Sequence, residues 1–290
     1  DQQTFGIFET LMDARSLYLT PNTSTVYVTH CFDLEDGPVV LEASPGLLGP
    51  MDDAYFRHIT DLGFTGPDKG KGGKYLFVGP GYEGELPKEG YFIIKSPTYI
   101  AWQLTRAFVT DGDLAATAKN VKDTMRTYPW VKRDNPPETK FINLSGLKMN
   151  TIHANNFEFY EEINAVIQKE PGDALPAELI GTLAAIGIKK GQPFKPDERM
   201  KAILEDAVAV GNATARSIVF AQRDKRGFYF ADRQWKTNFI GGSSTFEDNG
   251  ERMKDSRILF HYYATGITPA MAAPKPGTGS VYAYAERDSQ

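Results

Sequence analysis

The sequence predicts an α+β protein, mainly of antiparallel β structure, in which two β-rich domains flank a helical connector. Three observations predict it. The first third alternates β-branched and aromatic residues between turns rich in glycine and proline. The pattern changes to helical spacing after Pro129. Aromatic, strand-like segments return beyond residue 225. The expected bounds are 1–130 for the N-terminal domain, 131–195 for the connector and 196–290 for the C-terminal domain.

The elements follow in order. TVYVTHCFDL (25–34) and GPVVLEA (37–43) read as strands around the turn signal Asp36-Gly37. KYLFVG (74–79) and YFIIKS (91–96) read as two more, an antiparallel pair joined by a loop with Pro80, Gly81, Gly84, Pro87 and Gly90. Ser96-Pro97 reads as the cap of a helix with Ile100, Leu104 and Phe108 on one face. A second helix carries Leu114, Ala118, Val121 and Met125 and stops at Pro129. VKRDNPPETKF (131–141) is polar and proline-bearing, and marks the expected boundary. Helices are then expected from Asn155 or Asn156, across PAELIGTLAAIGI, over 196–224 and in ERMKDSRILFHYYATG. GFYFADRQWKTNFIGG reads as irregular or strand, and GSVYAYAERD as a terminal strand.

Composition narrows the function. The chain has 290 residues, 41% of them hydrophobic and 24% charged, which fits a soluble globular protein of one or two domains. A net charge of −5 without any run of lysine and arginine argues against nucleic acid as a partner. No apolar stretch is long enough to predict a membrane span. A single cysteine, Cys31, excludes an internal disulfide.

The glycine-rich stretch KGGKYLFVGPGYEG (71–84) raises the question of a phosphate cradle. Such a loop lies between a strand and a helix, with Lys-Ser/Thr at the helix start. Here GKGGKY runs into a strand and has tyrosine where the hydroxyl belongs, so a turn is expected and no nucleotide cofactor. Gly-x-Ser-x-Gly and His-Glu-x-x-His are absent, and the four histidines are far apart, so neither a metal nor a cofactor is expected. Ser145-Gly-Leu-Lys148 matches a Ser-x-x-Lys pattern without its companion motifs. Asp53 and His58 stand at the wrong offset for one helix face, and a plain surface helix is expected there.

TPNTSTVYVTHCFDLEDGPVVLEA and GGKYLFVGPGYEGELPKEGYFIIKSPTYIAWQLTRAFVTDGD resemble the family of unknown function DUF1254. The matching positions include Pro21, Asn22, Thr25, Tyr27, Asp36, Gly37, Pro38, Gly79, Gly81, Gly84, Pro87, Ser96, Pro97, Trp102 and Arg106. RILFHYYATGITPAM and GSVYAYAERDSQ resemble its C-terminal partner family, DUF1214. The chain departs from the first pattern at Thr23 and Ser24, where the family carries Asn and Asp. The resemblance implies a second domain related to a jelly-roll sandwich, a chain that is a fragment of a longer one, and an exported bacterial protein, periplasmic or secreted. It implies no established reaction.

The site expected from these readings is an aromatic-lined pocket that binds, and in one version hydrolyses, a small apolar or sugar-like molecule. Its walls are Tyr27, Trp102, Tyr262 and Tyr263, and its polar anchors Asn22, Thr25, Arg106 and Arg257. Arg106 is the candidate for a carboxylate, because a planar guanidinium pairs bidentately. The competing reading is a non-catalytic structural or interaction protein of the cell envelope, as a homo-oligomer in one version, whose aromatics fill a core.

Overall fold

The computed structural model describes residues 2–19, 21–273 and 282–286. It is α+β with mostly antiparallel sheets, and the chain divides into two compact units. The first comprises residues up to Thr151 together with Lys169–Pro176, and the second Ile152–Gln168 with Ala177 onward.

The first unit is built from β1 (Thr4–Phe8), β2 (Ser16–Leu17), β3 (Thr25–Asp33), β4 (Val39–Ala43), β5 (Leu47–Asp53), β6 (His58–Gly63), β7 (Gly73–Val78), β8 (Phe92–Lys95), β9 (Ile100–Phe108), α1 (Leu114–Thr124), β10 (Arg126–Pro129), β11 (Lys140–Asn143) and β12 (Met149–Asn150). Six strands form one sheet in the order β11-β1-β3-β9-β5-β6, and four form a second in the order β10-β4-β7-β8. Period-two alternation explains why they stack. Val26, Val28 and Phe32 of β3 and Ala101 and Ala107 of β9 share a core with Leu41 of β4 and Tyr75 and Phe77 of β7. The rings of Phe32 and Phe77 meet across the layer at 5.2 Å. Helix α1, capped by Asp113 accepting from the Ala116 amide, adds Ala118 and Val121 to that core.

Four sequence expectations change here. The helix expected over 96–108 is β9, the strand hydrogen-bonded to both β3 and β5. Burial of Ala101, Gln103, Thr105 and Ala107 on alternate positions overrides local helix propensity. β7 and β8 pair in parallel, because the 79–91 segment carries the chain back over the sheet and packs Leu86 and Tyr91 on Val40 and Leu76. The Asp53–His58 region is the antiparallel pair β5–β6. The boundary expected at 130/131 lies inside the first unit, since β11 returns to pair in parallel with β1, Thr4 opposite Lys140.

The glycine-rich stretch opens on the turn between β6 and β7, where the Gly72 amide is occupied. The buried Asp68 carboxylate accepts from the amides of Gly63 at 2.8 Å and Gly72 at 2.9 Å and from the Tyr75 hydroxyl at 2.5 Å. Gly63 is required there: its φ is +80°, and a Cβ would lie 1.6 Å from the Leu47 carbonyl oxygen.

The second unit holds most of α2 (Glu158–Lys169), with α3 (Ala177–Ala185), α4 (Glu198–Phe220), the two-residue strands β13 (Glu247–Asp248) and β14 (Glu251–Arg252), α5 (Lys254–Tyr263) and α6 (Pro269–Ala272). Its described residues are therefore mainly helical, and the strands of the protein concentrate in the first unit. Asp197 caps α4, accepting from the Met200 amide at 2.7 Å, close to where the sequence places that helix. Phe239, Phe246, Phe260 and Ile267 form a core cluster. The expected terminal strand falls partly outside the described residues; within them, Tyr284 bridges antiparallel to Lys236. No helix among the described residues is long and apolar enough to cross a membrane.

Candidate functional site

Five of the eight sequence-predicted residues, Asn22, Thr25, Tyr27, Trp102 and Arg106, belong to the first unit, at the face of the six-stranded sheet turned away from the inter-sheet core. Alternation along β9 puts Ala101, Gln103, Thr105 and Ala107 inside, so Trp102, Leu104, Arg106 and Phe108 leave the other face. On β3 the same alternation turns Thr25 and Tyr27 to this face, where both are buried, Tyr27 in a cluster with Phe8, Met12, Tyr18 and Leu104. In the register Tyr27 stands directly opposite Arg106, and Thr25 opposite Phe108. On the other flank Leu48 of β5 stands opposite Arg106.

Asn22, Thr25 and Tyr27 are tied to one another. The Asn22 amide donates to the Tyr27 hydroxyl at 2.9 Å, and the Asn22 side-chain oxygen accepts from Thr25 Oγ1 at 2.8 Å and from the Ser24 amide at 3.0 Å. This is a short amide closing a turn. The oxygens expected to anchor a ligand here organise the entry to β3 instead. Ser24, which departs from the family pattern, supplies its amide to that turn.

Arg106 differs. It is half-buried, and no hydrogen bond or ion pair engages its guanidinium among the described residues. Asp33, at the other end of β3 opposite Ile100, is bound to Lys169 Nζ at 2.7 Å. A guanidinium held among apolar side chains without a counter-charge is costly, and an anion beside it removes the cost.

Aromatic rings lie at both ends of this row. Phe56 approaches Trp102 with ring centroids 5.4 Å apart, and Phe64 approaches Phe108 at 6.0 Å. Phe56, Phe64 and Phe108 are 40%, 57% and 49% exposed, an unusual amount of aromatic surface on one sheet face. Trp102 is fixed by its indole N–H donating to Thr29 Oγ1 at 3.0 Å. The sequence reading missed the three phenylalanines. The signal for Phe108 was present, since period-two spacing joins it to Arg106 once the segment is read as a strand.

The same sheet carries an acid–base pair. His58 Nε2 lies 3.1 Å from Asp61 Oδ1, both on β6. The register sets His58 opposite Asp52 and Asp52 opposite Trp102, one row across three strands. Nearby, burial pushes the Tyr55 hydroxyl up to about 12, the charges of Glu170 and Asp53 adding to the effect. Ser145 of the Ser-x-x-Lys match is engaged structurally, its Oγ accepting from the Thr10 amide at 3.0 Å.

Arg257, Tyr262 and Tyr263 lie on or near the end of α5 in the second unit. Tyr263 donates to Glu286 at 2.9 Å and stacks near Tyr284 at 4.7 Å, while Glu286 also pairs with Lys236, which is 1% exposed. Tyr262 meets Phe220 at 6.0 Å. These contacts place Tyr263 in a packed polar network. A separate cleft of about 490 Å³ in this unit is lined by Asn155, Phe157, Glu161, Lys201, Glu205 and Val208, with the Lys201 ammonium 5.2 Å from the centre of the Phe157 ring. Among the described residues no three His, Cys, Asp or Glu side chains group as a metal site requires.

The first unit is thus a two-sheet β architecture with an aromatic outer face centred on an arginine. Residues 2–129 match the family model "Protein of unknown function (DUF1254)". No curated protein matches the chain. Among solved structures, the chain is similar to the VPA0106 protein from Vibrio parahaemolyticus, with a TM-score of 0.53 and 14% sequence identity over 73% of this chain and 54% of that one. At that identity the likeness shows the fold alone, and the chain spans about half the length of that structure.

Proposed function

We propose that the outer face of the six-stranded sheet binds a small apolar molecule bearing an anionic group, with Arg106 pairing the anion and Trp102, Leu48 and Phe108 receiving the apolar part. The observation that carries this is Arg106 itself, half-buried among apolar side chains with no partner among the described residues. Its planar fork suits a carboxylate or sulfonate. Hydrolysis of the bound molecule is the further version of this reading, and His58–Asp61 is the acid–base pair that supports it. An envelope location and a C-terminal part akin to DUF1214 rest on the resemblance in sequence.

A second reading is favoured by the exposure of Phe56, Phe64 and Phe108. In it the strip is an interaction surface of a non-catalytic protein, with a second copy of the chain as one occupant. Paired fluorescent probes separate the two. The anionic probe 1-anilinonaphthalene-8-sulfonate should bind at least ten-fold more weakly to Arg106→Met, a loss of about 1.4 kcal/mol, while uncharged N-phenyl-1-naphthylamine binds both proteins alike. Equal binding of the anionic probe by both proteins contradicts the anion site and leaves the interaction surface.

A further inference from the structure

The core face of the same sheet holds a polar pair within an apolar layer. His30 on β3 and Gln103 on β9 stand directly opposite one another and are 5% and 0% exposed. Their side chains leave one face with Cβ atoms about 5 Å apart. Phe5 and Phe32 flank the imidazole, ring centroids 4.9 and 4.4 Å away, and Met51 stands opposite Gln103 on its other side.

The hydrogen bonds that exist define those that are missing. His30 Nδ1 donates to the Thr4 carbonyl at 2.9 Å, which sets the tautomer and leaves a lone pair on Nε2. The Gln103 amide nitrogen donates to Thr105 Oγ1 at 2.6 Å. His30 Nε2 and Gln103 Oε1 remain, both buried and both without a hydrogen-bond partner among the described residues. Both are acceptors, so neither can satisfy the other. Two buried acceptors left unpaired are costly and rare in folded proteins.

We propose that a single water molecule is bound between the two sheets, donating one O–H to His30 Nε2 and the other to Gln103 Oε1. Water brings two donors in the smallest volume, and two polar partners are the fewest that hold a buried water. A metal ion is a poor alternative, because the described residues group no third ligand there. Bound in this way, the water ties β3 to β9 at their buried middle. It also fixes their register, since a slip of one residue would turn either side chain to the outer face.

A crystal structure of the unmodified protein at a resolution that shows ordered waters tests this. The expected result is one water within hydrogen-bond distance of both atoms. An empty gap, or a Gln103 amide turned to donate directly to Nε2, overturns it. Two variants add a solution measurement. Gln103→Leu strands His30 Nε2, and His30→Phe strands Gln103 Oε1 and also takes the Nδ1 donor from the Thr4 carbonyl; each should lower the melting temperature, whereas the double variant should lose less than the sum of the two. Additive losses would count against a shared water, and if either single variant fails to fold, the crystal structure alone decides.

Discussion

Arg106 and Tyr27 face one another across two strands, yet their chemistry differs. The Tyr27 hydroxyl is committed to the Asn22 amide, so Tyr27→Phe should cost about 1 kcal/mol, measured by urea unfolding. Arg106 has no such commitment, so Arg106→Met should lose no more than about 0.5 kcal/mol of stability, or gain some, while removing anion binding. A loss of several kcal/mol would instead mark a core ion pair. Arg106 and Trp102 were legible as sharing one face even though their segment reads as a helix. A spacing of four keeps two residues on one face in a helix and in a strand alike. Phe56 and Phe64 were not legible, because they reach the site through pairings distant in sequence.

At the scale of elements, Asp68 shows how a glycine-rich stretch is spent. Its carboxylate takes two backbone amides and a tyrosine hydroxyl, so Asp68→Ala strands three donors, two of them on the turn that joins β6 to β7. The expected cost is about 3 kcal/mol or more, read by urea unfolding. A change below about 1 kcal/mol would show that the turn holds without it. The strands at 25–33, 39–43, 73–78 and 92–95 lie where the period-two pattern puts them. Their partners could not be read in the same way. The parallel β7–β8 pair depends on the path of the 79–91 segment, and β9 depends on having strands on both sides. Short strands such as β11 and β12 carry too few residues for any period to show.

Over the whole molecule, acid should act through two buried histidines. Burial lowers His30 to about 4, and burial with the Arg257 charge lowers His261 to about 4, both from 6.5. A base whose folded value is depressed contributes stability above its unfolded value and loses it as pH falls towards the folded one. Each should therefore cost up to about 3 kcal/mol between pH 6.5 and 4, with His30→Phe flattening that slope in urea unfolding at a series of pH values. The net charge of −5 repels anions in general, so an anionic ligand must be held by a local cation and not drawn in by the overall field. That places the burden of the functional account on Arg106. The crystal structure of the complex with 1-anilinonaphthalene-8-sulfonate tests it most directly. The account predicts the sulfonate on the Arg106 guanidinium with the rings against Trp102 or Phe108, and a probe seated elsewhere, with Arg106 untouched, would contradict it.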